Sequence, residues 1–118
     1  EAGSFDIRQS YLAMQRRLLA GAQFTALFAI SDNMAIGAMR ALREAGQQIP
    51  RDCSVIAIDG LTMSEYINPT LTTLCQPMEH MGRRSVEILL DMVEHRGGPI
   101  RETAHTTLRT GESVRDIS

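Results

Sequence analysis

The chain has 118 residues, 43% of them hydrophobic and 22% charged, with a formal net charge of -2, as in an ordinary globular protein long enough to bury one core. That balance and a pI near 5.9 exclude a chain that grips a nucleic-acid backbone by itself, because phosphate binding needs a local excess of cations. No run approaches the ~20 apolar residues of a membrane span and no secretory leader is visible, although a start at Glu1 without a methionine leaves room for a leader or further domains ahead of it.

Asp6 can cap a helix over residues 7–20, where Ile7, Tyr11, Met14 and Leu18 recur at helical spacing before a stop at Gly21. Ala26 to Ile30 reads as a short buried strand. Asp32 is placed to cap a second helix with an apolar stripe of Ala35, Ile36, Met39 and Leu42, ending at Gly46; "QQIPRD" after it reads as a loop. "CSVIAIDG" has the continuous apolar run of a strand covered on both faces and closes at Asp59 and Gly60. An irregular stretch with Asn68 and Pro69 leads to a third strand candidate in "LTTLCQ". Pro77 starts a third helix with Gly82, Val86, Leu89 and Val93 on one face, and "RGGP" ends it. The threonine-rich tail, "ETAHTTLRTGES", reads as one or two short strands. Helices alternating with buried strands predict an α/β fold with a parallel sheet built by right-handed crossovers.

In such a sheet, ligands bind beyond the carboxyl ends of the strands. Ser31 with Asp32, then Asp59, then Gln76 stand at those ends, and adjacent parallel strands would turn them toward one crevice. Asp32 has the further role of a cap, and Asp59 before Gly60 is equally a turn pair. Phe5, just ahead of the first helix, can cover a ring face of a ligand or pack as a hydrophobic staple. For catalysis the pattern is empty. His80, His95 and His105 lack metal-ligand spacing, and there is no GxSxG elbow, phosphate loop or GxGxxG, so no catalytic residue, metal or cofactor is expected. Cys53 and Cys75 lie at the edges of apolar runs without CxxC spacing, as buried thiols of a reducing cytosol rather than a disulfide pair.

"TALFAISDNMAIGAMRALREAGQQIPRDCSVIAIDG", followed by "INPTLTTLCQPMEHMGRRSVEILLDMV", resembles the C-terminal half of the effector-binding core of the lactose/galactose-repressor (LacI/GalR) family of bacterial transcription factors. The likeness runs in the family's order and spacing from about Phe5 to Gly111. It implies a type I periplasmic-binding-protein-like fold, two Rossmann-like subdomains that close over a small effector, often a sugar or nucleobase. This chain would hold an incomplete part of it: most of the C-terminal subdomain in residues 1–77, then a helix and strands in 78–118 that cross to the N-terminal subdomain and return. A helix-turn-helix head, a hinge helix and the first half of the core would lie outside it.

By position, Phe5 resembles the family's aromatic that stacks on ligand, Ser31 stands in the place of a sugar-binding asparagine, Asp59 matches the aspartate that binds ligand hydroxyls, and Gln76 matches a hinge-side polar contact. Ser31 is shorter than asparagine, and Gly60 replaces a usual acidic or amide residue. The same likeness puts Met34, Ile36, Arg40 and Tyr66 at a homodimer interface. The implied protein is a cytoplasmic, non-enzymatic regulator, dimeric, with a small effector that is expected to be a sugar, operator DNA bound through the absent head, and no membrane partner. A solute receptor of a transporter would share fold and pocket, and a small α/β enzyme using Asp59 would need a paired base or nucleophile that the sequence does not offer. A partial core is also expected to expose apolar faces that belong against absent elements.

Overall fold

A computed structural model describes residues 5–98 and 100–118. In chain order it forms α1 (Ile7–Leu19), β1 (Ala26–Phe28), α2 (Asp32–Glu44), β2 (Ser54–Asp59), a one-turn 3-10 helix (Thr62–Glu65), β3 (Thr72–Cys75), α3 (Met78–Val93) and β4 (Thr107–Arg109). The strands lie in the order β1-β2-β3-β4, with β1 parallel to β2 and β2 parallel to β3. The predicted parallel-sheet α/β fold is therefore present.

The chain divides into two compact units, Glu1–Cys75 with Leu108–Ser118, and Gln76–Thr107. In the first, Leu42, Val55, Cys53, Ala57 and Leu71 are at most 1% exposed and form the core between α2 and the sheet. α1 begins where expected, with the Asp6 carboxylate accepting from the Gln9 N–H at 2.9 Å. It then packs against α2 through Gly37. A Cβ there would lie 2.2 Å from both the Ile7 carbonyl oxygen and Ser10 Oγ, and Ser10 is the one buried residue of α1. In the second unit α3 has no buried residue; Val86, Leu89 and Val93, the face that spacing groups together, are all exposed.

Three expectations need correction. The cap of α2 is Ser31, whose hydroxyl accepts from the Met34 N–H at 3.1 Å, and Asp32 is instead the first helical residue with its side chain turned inward. Both residue types cap well, so the cap falls to the one not needed elsewhere, and Asp32 is needed by three interior donors. β1 stops at Phe28, and Ile30 is half exposed. Ile36 is only half buried, while Gly37 and Ala38 join Ala35, Met39 and Leu42 on the buried side because α1 covers them. The tail, in line with expectation, contributes one short strand, β4, among the described residues.

Candidate functional site

The parallel register sets Phe28 opposite Ile56 and Asp59 opposite Cys75, so β1, β2 and β3 run out toward the same edge. Ser31 follows β1 by three residues and Asp59 is the last residue of β2. Ser31 is 2% exposed, its hydroxyl committed to the α2 cap. Ser31→Ala is expected to cost about 1 kcal/mol of stability and Ser31→Asn close to nothing, since asparagine caps as well as serine; urea unfolding midpoints separate them, and equal losses would deny the capping role.

Asp59 has a φ of 138°, a region that residues with a Cβ rarely enter. Gly60 follows at φ 79°, where an added Cβ would stand 2.6 Å from Cys75 Sγ and 2.7 Å from Cys75 Cα. Only glycine fits there.

Beyond Gly60 the chain is held by a buried polar cluster that sequence reasoning missed. Asp32, 0% exposed, accepts from the Leu61 N–H at 2.7 Å, from Ser64 Oγ at 2.9 Å and from Thr73 Oγ1 at 2.5 Å. The single proton of Ser64 is shared between Asp32 and the Leu61 carbonyl 2.6 Å away. Arg109 donates to that same carbonyl at 3.0 Å and to Ser64 Oγ, and pairs with Glu65. The partners of Asp32 and Arg109 are 29 to 48 residues away in sequence, so no local pattern signals them.

Phe5 is 65% exposed. With Asp6 as the cap, the residue a staple would meet is Ser10, which is not apolar, so the staple reading fails. Phe5 instead lines an open groove of about 750 Å³ with Arg17, Phe24, Phe28, Ile30 and Met34. Ser31 and Asp59 are not brought into that groove. Gln76 directly follows β3 and is the first residue of the second unit.

Two of the four residues expected at the interface, Ile36 and Arg40, share a surface groove. Ile36 and Arg40, one turn apart on α2, line a second groove with Arg43, Ile67 and Asn68, and Arg43 Nη1 donates to the Asn68 carbonyl at 2.7 Å. Tyr66, beside Ile67, is 83% exposed. Arg40 pairs with Glu44 at 2.9 Å and lies 5.4 Å from the Tyr11 ring centroid. The Tyr11 hydroxyl, donating to Glu44, together with Arg40 holds that carboxyl below the usual range; the same bond raises Tyr11. Met34 sits about 200° round the helix from Ile36 and faces the Phe5 groove.

Both cysteines are free; Cys53 is buried, which pushes its thiol up, and Cys75 is half buried. Among the described residues no group of three or more His, Cys, Asp or Glu could hold a metal ion, and no helix is long and apolar enough to cross a membrane.

A family model described as a periplasmic binding protein-like domain matches residues 3–114. The HTH-type transcriptional repressor MelR of Bacillus subtilis is 39% identical over 94% of this chain and 32% of its own length. The HTH-type transcriptional regulator MalR of Clostridium butyricum is 36% identical over 98% of this chain and 33% of its own. A complex of the transcriptional regulator CelR with cellobiose superposes with a TM-score of 0.88 at 34% identity, over 94% of this chain and 34% of that one. A LacI family regulator from Enterococcus faecium with bound ribose gives 0.83 at 32% identity, over 98% and 43%. The chain spans about a third of the length of the curated relatives it matches, and those two relatives are regulators of transcription. The chain belongs to the periplasmic binding protein-like domain family, in the branch of the lactose/galactose-repressor (LacI/GalR) regulators.

Proposed function

We propose that this chain is the C-terminal part of the effector-binding and dimerisation core of a cytoplasmic LacI/GalR-type regulator, in which a small hydroxylated ligand, most simply a sugar, controls operator binding by a separate helix-turn-helix head. In this reading residues 1–77 supply most of the C-terminal subdomain, and 78–118 cross to the N-terminal subdomain and return. One observation carries the reading: Ser31 and Asp59 leave neighbouring parallel strands at the same edge, in a chain that superposes at a TM-score of 0.88 on a regulator solved with cellobiose. Strand ends are rigid, so acceptors placed there read hydroxyls with little ordering cost.

In this assignment Asp59 accepts from ligand hydroxyls, Phe5 covers a ring face, Ser31 borders the site through the α2 cap that its hydroxyl holds, and Gln76 adds a polar contact where the chain leaves β3. Ile36, Arg40 and Tyr66 form the homodimer contact; Met34, on the other side of α2, serves the groove. Ligand affinity alone shifts nothing. Control requires that the effector bind one subdomain arrangement more tightly than the other.

Calorimetry on the full-length protein with cellobiose, lactose, ribose and purine bases tests this. At least one is expected to bind, with Asp59→Asn weakening it about tenfold or more, as loss of a charged acceptor does. Binding by none of them, or binding indifferent to Asp59→Asn, would overturn the assignment.

A further inference from the structure

We propose that Arg109, together with Asp32, is a positioning residue of the strand-end site, clamping Leu61 from both sides so that Asp59 keeps the backbone conformation from which it meets ligand; this rests on the ligand role of Asp59 proposed above. Arg109 lies in a threonine-rich tail that carries no site motif.

Asp59 at φ 138° and Gly60 at φ 79° are consecutive residues in the left-handed half of conformational space. For a residue with a Cβ such a state persists only where the surroundings over-determine it. Here they do. The Leu61 N–H is taken by Asp32 Oδ2 at 2.7 Å, from the first turn of α2. The Leu61 carbonyl is taken by Arg109 Nη2 at 3.0 Å, from β4, and by the Ser64 N–H at 3.1 Å. Gly60 is wedged against Cys75 at the end of β3, with no room for a side chain.

The loop after β2 is thus pinned by three elements distant in sequence, and a guanidinium suits the task. Its planar fork reaches the Leu61 carbonyl, Ser64 Oγ and the Glu65 carboxylate at once from two separate nitrogens, a spread that the single nitrogen of an ammonium does not match and that an apolar side chain lacks altogether. The Arg109 side chain is 27% exposed, so its replacement leaves the main core untouched. Arg109 acts through the loop, two residues away from Asp59, and not on ligand itself.

The test uses the full-length protein in two arms. In the first, without ligand, amide hydrogen exchange over 59–65 is expected to quicken about tenfold in Arg109→Met, with β1 and β2 protection unchanged and partial restoration in Arg109→Lys. Exchange in the loop that ignores Arg109→Met overturns the clamp, whatever the protein binds. In the second, titration with whichever of cellobiose, lactose or ribose binds the wild type is expected to weaken about tenfold in Arg109→Met. The same change made in Asp59→Asn should have little further effect. Equal losses in both backgrounds would mean a general structural role and overturn the positioning. A wild type that binds none of the three removes the ligand reading, and the positioning role with it, while the first arm still reports on the clamp.

Discussion

Asp32→Ala is expected to lower stability by about 3–5 kcal/mol, the largest loss among single side-chain truncations in the first unit, because it strands buried donors in place. The Leu61 N–H and the Thr73 hydroxyl both lose their acceptor inside the protein. Ser64 can fall back on the Leu61 carbonyl, which keeps the loss from being greater. Asp32→Asn should cost only about 1–2 kcal/mol. Its carbonyl oxygen can still accept from Leu61 and Ser64, and the Thr73 hydroxyl can rotate to accept from the new amide. Urea unfolding of the two variants measures the gap, and an alanine variant as stable as the asparagine one would contradict the assignment of Asp32 as an interior acceptor.

Gly37→Ala sets two effects against each other. Intrinsic preference favours alanine in the middle of α2 by about 1 kcal/mol. Packing opposes it: the new Cβ would stand 2.2 Å from the Ile7 carbonyl and 2.9 Å from the Tyr11 nitrogen. Backbone atoms cannot swing away as a flexible side chain can, so α1 must lift from α2, at a cost of about 1–3 kcal/mol and sometimes more. The net expectation is a loss of about 1–2 kcal/mol, read as a lower urea midpoint with an unchanged slope. A midpoint that rises would show that α1 gives way freely. Because Phe5 directly precedes Asp6, the cap of α1, lifting that helix also moves the aromatic away from its groove.

Both variants act at places where local signals point the wrong way. Asp32 looks like a cap because an aspartate before an apolar stripe usually is one. Its neighbour Ser31 caps equally well, and only the folded arrangement of Leu61, Ser64 and Thr73 shows why the serine takes the role. Gly37 looks like a weak spot in a helix, and only the approach of α1 explains it.

Much was nevertheless legible. Asp6 caps α1, the parallel β1, β2 and β3 lie where apolar runs fall between helices, Pro77 immediately precedes α3, and the likeness to lactose/galactose-repressor regulators is carried by contiguous segments. These features depend on neighbours within a turn or a strand length, and a sequence prints such neighbours side by side. What the sequence left undetermined is the set of contacts between residues tens of positions apart. The Arg109 fork on Leu61 and the positive φ at Asp59 exist only once α2, the turn after β2 and β4 have been brought together. Hydrogen bonds over such separations leave no periodicity or spacing to read, so the scaffold behind the candidate site was decided by tertiary packing alone.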